Sequence, residues 1–269
     1  MSTGKANPLA QAAVKLFGGR PSTSPQQAAR PTGEQPSAGE GALENHLGGE
    51  EAKNYRQYEH DVIAPWVGRS MLEIGSGLGD FSADFLDRLD RLVVSDNDAY
   101  CLEQLRKRYE DTSDVTVLAL ALPAEIPIDD PVDTVVMMNV LEHIDEDVEA
   151  LRSLARVVQP GGRIVIWVPG YEQLYGDFDR KVGHVRRYTP RTLQAAVTSA
   201  GLQTEMLKPI NFLGGIAWWF AVRMGGAGYP DPKIVRVYDR TVIPTTRLLE
   251  NLVRPPFGQT VLCSARVPD

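Results

Sequence analysis

The chain has 269 residues, 43% of them hydrophobic, enough for one sizeable core plus extensions. Its 28 basic and 35 acidic side chains leave a net charge of −7, which argues against a protein held on nucleic acid by bulk charge. Two cysteines, Cys101 and Cys263, give neither a disulfide framework nor a Cys/His metal spacing, so no metal site is expected and a reducing cytoplasm fits. No apolar run approaches the ~18 residues of a membrane-spanning helix. The N-terminus lacks a signal-peptide pattern.

Residues 1–42 read as a disordered or weakly helical arm. Pro21, Pro25, Pro31 and Pro36 are spaced by small and polar residues, and too few large apolar groups are present to offset chain entropy. A short helix over Pro8–Phe17 is the one regular element expected there. Order is expected from Leu43, with a helix over Glu50–Val67. Strands and helices then alternate: strand Ser70–Ile74, helix Phe81–Leu89, strand Arg91–Ser95, helix Tyr100–Tyr109, strands Val115–Leu120 and Val132–Met138. Helix Glu146–Val158 closes at Pro160-Gly161-Gly162, strand Arg163–Val168 follows, and helix Thr189–Ala200 starts on Pro190 and stops at Gly201. This alternation predicts an α/β fold with a mostly parallel sheet covered on both faces.

The segment Leu72-Glu73-Ile74-Gly75-Ser76-Gly77-Leu78-Gly79 runs from a strand through a glycine loop into a helix. Gly75 and Gly77 allow a tight turn and close approach to a ligand, and Gly79 allows close helix–strand packing. A dinucleotide site would want its third glycine one residue later. Glu73 beneath the loop would repel a pyrophosphate and suits a cationic ligand. Asp96, at the end of the next strand, is placed to hold ribose hydroxyls; Asp96-Asn97-Asp98 is also good turn chemistry.

These pieces, with Asn139-Val140-Leu141-Glu142-His143-Ile144 and Pro160-Gly161-Gly162, resemble class I S-adenosylmethionine-dependent methyltransferases, in particular the UbiG-like group acting on small molecules. The resemblance is strong over Asn54–Val168. It extends more weakly through Gly183-His184-Val185-Arg186-Arg187-Tyr188-Thr189, a segment often seen in bacterial methyltransferases of secondary-metabolite and glycan loci. It implies a Rossmann-like doubly wound seven-stranded sheet whose last strand is antiparallel, with Thr260–Ala265 in that hairpin. It also implies S-adenosyl-L-methionine as cofactor. Glu73, Gly75, Ser76 and Gly77 would face its amino-acid part, and Asp96 its ribose, with Asn97 beside the adenine. Asn139 and Leu141 would line the methionine end, and Tyr55 would close over it. The family often places an acid and a free backbone N–H after the third strand for adenine. Here that stretch is Ala121-Leu122-Pro123, which offers neither.

Two readings stand for the segment between the fifth strand and the next helix. His184 could take a proton from a hydroxyl acceptor as general base, or only cap the helix and pair with Asp177 or Asp179. Arg186, Arg187 and Tyr188 could bind substrate, the arginines within a basic cluster with Arg180 and Lys181, or that cluster could be a solvated face paired with the same acids. His143 is expected to pack and hydrogen-bond behind the loop, with a catalytic role as the alternative. Ile210–Val222, the most apolar segment, is expected as a helix covering the acceptor pocket, or as a lipid-facing helix making peripheral membrane contact. Residues 43–269 are thus expected to form one methyltransferase domain, with a substrate-covering insertion and C-terminal helices over about 170–258. Methyl transfer to O or N of a small-molecule or lipid-linked acceptor is the expected reaction. A non-catalytic partner protein is the rival, supported by Ala121-Leu122-Pro123. A nucleic-acid methyltransferase is disfavoured by charge and by the absence of a Pro-Pro-aromatic set.

Overall fold

The computed structural model describes residues 52–223 and 232–269. The expected arm 1–42, its helix Pro8–Phe17 and the start of order at Leu43 lie outside the described residues. Helix α1 (Lys53–Ile63) and a 3-10 turn lead into β1 (Ser70–Ile74), then α2 (Asp80–Ala83), β2 (Arg91–Asp96), α3 (Ala99–Arg108), β3 (Val115–Ala119) and β4 (Val132–Met138). A 3-10 turn at Leu141–His143 precedes α4 (Asp147–Ala155) and β5 (Val158–Pro169). After α5 (Asp177–Val182) come α6 (Pro190–Ser199), β6 (Gln203–Ile210), α7 (Phe212–Arg223), α8 (Pro232–Val237), α9 (Ile243–Leu252) and β7 (Thr260–Arg266).

The seven strands lie in the order β3-β2-β1-β4-β5-β7-β6. The first five pair in parallel, and β7 runs antiparallel between β5 and β6. Strand parity separates two cores. Leu72, Val135, Met137, Ile164, Ile166 and Cys263 face one side with Leu151 of α4 and Val197 of α6. Met71, Val136, Val165, Trp167 and Leu262 face the other with Tyr58 of α1, Leu105 of α3 and Ile243 of α9. Alternate residues of one strand are apolar on both faces, which is why β4 reads as an unbroken apolar run.

Several boundaries differ from expectation. The helix expected over Phe81–Leu89 is α2 plus a 3-10 turn at Leu86–Arg88, and at the break Phe85 buries beside His60 and Phe81. Strand β5 begins at Val158 rather than Arg163, because the Pro160-Gly161-Gly162 turn is paired to the sheet: the Gly161 N–H donates to the Val267 carbonyl. The C-terminal helical stretch is interrupted by a π-turn over Tyr238–Val242. Pro244 then sits in the first turn of α9, where its missing N–H costs no helical bond. Strand β6 was not anticipated. It is the sheet edge, only half buried, and carries Pro209, which an edge tolerates.

The C-terminal helices hold α1 in place. Asp239 accepts from the backbone N–H groups of Asn54 (3.2 Å) and Tyr55 (2.8 Å), supplying the cap that Ala52 cannot. Tyr58 donates to Glu250 at 2.6 Å.

Candidate active site

The chain leaves β1 for β2 and β3 on one side, and returns to β4 on the other. The crevice where strand order reverses therefore opens at the carboxyl ends of β1 and β4, where open α/β sheets bind ligands. The glycine loop lies there. Gly75, Gly77 and Gly79 all have positive φ (68°, 56° and 78°). A Cβ at Gly75 would lie 2.6 Å from Val140 Cγ2, whereas one at Gly77 would meet nothing within 4 Å. The loop is thus packed tightly against the β4 turn at Gly75 and open at Gly77.

Glu73 is buried at the end of β1, and its Oε2 has no hydrogen-bond partner. Burial pushes its carboxyl up to about 7, and Asp96 and Asp80 add to the rise. Such a carboxylate is a receptor for a positive group. Asp96 anchors the loop from β2: its two oxygens accept from the N–H groups of Gly77 and Asp98, each at 2.9 Å. Asn97 is exposed beside it. Ser76 faces the other way. Its hydroxyl accepts from the Ser95 N–H (3.1 Å) and donates to the Glu73 carbonyl (3.3 Å), tying β1 to β2.

At the end of β4, Asn139 is exposed with a positive φ of 52°. Leu141 is fully buried in the core, so its side chain does not line the crevice; the 3-10 turn rotates it inward. Tyr55 stands edge-on to Trp167 of β5, with ring centroids 6.4 Å apart. Leu122 packs partly on the core after β3.

The segment after β5 is organised around Asp179. This fully buried carboxylate accepts from the Gly176 N–H, from His184 Nδ1 at 2.7 Å, and from Arg187 Nε and Nη2 at 2.8 and 3.1 Å. Burial alone would push the Asp179 carboxyl up, but His184, Arg187 and Gly176 outweigh it and hold it below the usual range. Arg187 is therefore committed to a buried pair, and its guanidinium lies 5.6 Å from the Trp218 ring centroid. Arg186 pairs with Asp147 at 2.8 Å, Tyr188 donates to the same carboxylate at 2.7 Å, and Arg180 pairs with Asp177. The basic cluster is thus largely neutralised within the fold.

His184 is turned inward, with 9% of its side chain exposed. Its Nε2 lies 3.6 Å from Glu142 Oε1. Glu142 is fully buried without a hydrogen-bond partner for either oxygen, and burial pushes its carboxyl up to about 8. His143 is exposed, edge-on to His184 at 4.7 Å, with Nδ1 3.2 Å from the Gly183 carbonyl. Partial burial and the adjacent His184 hold its imidazole below the ordinary histidine range. Sequence reasoning passed over Glu142, because nothing in its spacing signals that the carboxylate is sealed in the protein.

Beyond this cluster, Tyr171, Gln173, Leu174, Ile216, Trp219, Phe220 and Phe257 line a cavity of about 410 Å³ whose walls are almost wholly apolar. Trp218 fixes α7 to this insertion by donating to the Leu174 carbonyl at 3.0 Å. Trp219 and Phe220 remain 37% and 40% exposed. Among the described residues no helix is long and apolar enough to cross a membrane.

Residues 72–166 match the protein family described as Methyltransferase domain. The chain is 26% identical over 201 residues to an uncharacterized methyltransferase of Mycobacterium leprae, covering 71% of this chain and 72% of that protein. It is 28% identical over 162 residues to a Mycolicibacterium smegmatis protein described as a probable S-adenosylmethionine-dependent methyltransferase, covering 57% and 61%. Matches to the first relatives span between 44% and 72% of their length. The fold resembles that of the N-methyltransferase NodS of Bradyrhizobium japonicum in complex with S-adenosyl-L-homocysteine. The TM-score is 0.52 at 14% identity, covering 86% of this chain and all of that one. The glycine loop, Glu73 and Asp96 all fall within the matched stretch, so the crevice described above lies in the part of the chain that is similar to S-adenosylmethionine-dependent methyltransferases.

Proposed function

We propose that the protein transfers the methyl group of S-adenosylmethionine to an oxygen or nitrogen of an apolar small-molecule or lipid-linked acceptor, in cytoplasmic secondary-metabolite or glycan biosynthesis. The observation that carries the cofactor's place is the unpartnered Oε2 of buried Glu73 under the open face of Gly77. A carboxylate so placed receives the cofactor's ammonium group. Asp96, already oriented by two backbone N–H groups, keeps lone pairs for the ribose hydroxyls. Gly75 brings the loop onto Val140, so Asn139 borders the methionine end, and Tyr55 stands over the end of β5. When bound, the cofactor supplies an electrophilic sulfonium methyl.

The chain's own contribution is positioning, which supplies several kcal/mol by holding two reactants in line. The apolar cavity beside α7 supports the acceptor class: its volume and lining suit an apolar body, with Trp219 and Phe220 at its mouth. Where the acceptor is a hydroxyl, its proton leaves toward exposed His143 and the inward His184 behind it.

Calorimetry with S-adenosylhomocysteine tests the cofactor site. Asp96→Ala is expected to lose about 1.5–3 kcal/mol of binding, the worth of a charged hydrogen-bonding group. Methylation assays with apolar hydroxylated acceptors test the other half: Trp219→Ala should raise the acceptor KM and leave cofactor affinity unchanged. Unaltered cofactor binding in Asp96→Ala removes the ribose assignment, and an unaltered acceptor KM in Trp219→Ala removes the cavity.

A further inference from the structure

We propose that Glu142, His143 and His184 form a binding site for a divalent transition-metal ion. The three residues come from two segments, the turn after β4 and the insertion after β5, and each presents one ligating atom within 4.8 Å of the others. Four observations point the same way. Glu142 is fully buried, yet neither carboxylate oxygen has a hydrogen-bond partner, although burying an unpaired carboxylate is costly without a compensating charge. His184 Nε2 lies 3.6 Å from Glu142 Oε1, a separation two ligands of one ion can share after slight contraction. His184 Nδ1 is engaged by Asp179 at 2.7 Å, the carboxylate–histidine arrangement that fixes the tautomer and leaves Nε2 its lone pair. His143 repeats the device, with Nδ1 at 3.2 Å from the Gly183 carbonyl. Both imidazoles are thus held from behind by an oxygen acceptor, as metal-ligating histidines commonly are.

Two imidazole nitrogens and one carboxylate oxygen favour zinc, manganese, iron, cobalt or nickel over magnesium or calcium, which prefer all-oxygen shells. Three protein ligands leave positions open, and His143 is the exposed member, so those positions face out of the fold. Resting on the methyltransferase reading, such an ion would bind the acceptor's oxygen and lower the energy of its deprotonated form; with the ion bound, the proton would leave to solvent and the two histidines would act as ligands in place of bases. Metal binding itself does not depend on that reading. Asp179 and Gly183 act as positioning groups.

The test uses the full chain stripped with chelator and titrated with zinc chloride or manganese chloride in a calorimeter, with cobalt(II) visible absorption as a second readout. One saturable ion per chain is expected. Glu142→Gln and His143→Ala should weaken it by more than the ~10–100-fold that follows loss of an outer-shell partner. His143 is exposed, so its replacement leaves the fold intact even where Glu142→Gln does not. Asp96→Ala should retain metal binding, and His143→Ala should retain S-adenosylhomocysteine binding, so the two readings fail separately. Absence of saturable binding at millimolar metal overturns the proposal. So does equal affinity in wild type and His143→Ala, which would place the ion elsewhere and leave the Glu142–His184 contact a plain ion pair.

Discussion

Replacing Glu73 with glutamine should make the protein more stable and less able to bind its cofactor. The carboxyl is raised from 4.5 to about 7, by burial first and by Asp96 and Asp80 after it. A raised carboxyl favours the folded state while protonated, and that contribution is lost as pH rises through about 7. At pH 8 the shift corresponds to about 3 kcal/mol of destabilisation, at 1.36 kcal/mol per unit; at pH 5 it is below ~1 kcal/mol. Glutamine, nearly isosteric and neutral, carries no such cost. Thermal unfolding of the cofactor-free protein should therefore show Glu73→Gln more stable than wild type by roughly 5–10 °C at pH 8. The advantage should shrink toward pH 5. Calorimetry with S-adenosylhomocysteine should show the opposite trend, an affinity loss of roughly 10–100-fold, because a charged hydrogen bond to the ligand's ammonium is gone. Wild-type affinity should fall below pH 7 as Glu73 protonates, while the variant's stays flat. The reasoning is falsified if Glu73→Gln is less stable than wild type at both pH values, or if it binds the cofactor product unchanged.

Two glycine substitutions separate packing from ligand space. Gly79→Ala would put a Cβ 2.9 Å from both Leu105 Cδ2 and Tyr109 Oη at a φ of 78°, so chemical denaturation should report a loss of about 2–5 kcal/mol. Gly77→Ala meets no neighbour at a φ of 56° and should cost only about 1–2 kcal/mol, yet weaken the cofactor product by filling the open face; equal denaturation midpoints for the two variants would contradict the packing. Asp179→Asn leaves Arg187 buried and unpaired, with an expected cost of about 3–5 kcal/mol at pH 7. Since Asp179 is held below its ordinary value, that gap should be full above pH 4 and close as pH falls through the folded value, and a gap independent of pH would refute the ion-pair account.

The glycine loop, Glu73, Asp96 and the strand–helix alternation were legible in the sequence, because each is a local pattern: a strand end, a turn and a period fix them within a few residues. The position of strand β6 was not. Gln203–Ile210 is a half-buried edge with a proline, and only β7 beside it makes the segment a strand. Leu141 shows the same limit within one motif. Its position after β4 was readable, but the 3-10 turn that points it into the core is set by packing against the sheet. Asp179, the arginines and His184 could be read as a pocket or as a salt-bridged face. Burial chose, since a charge removed from water must find its partner within the fold, and Arg187 and His184 found Asp179. The meeting of Glu142 with His184 belongs wholly to the tertiary structure. The two lie on separate segments, and the insertion's return along the end of β5 brings a ring nitrogen to within 3.6 Å of a carboxylate whose burial nothing in its own segment signals.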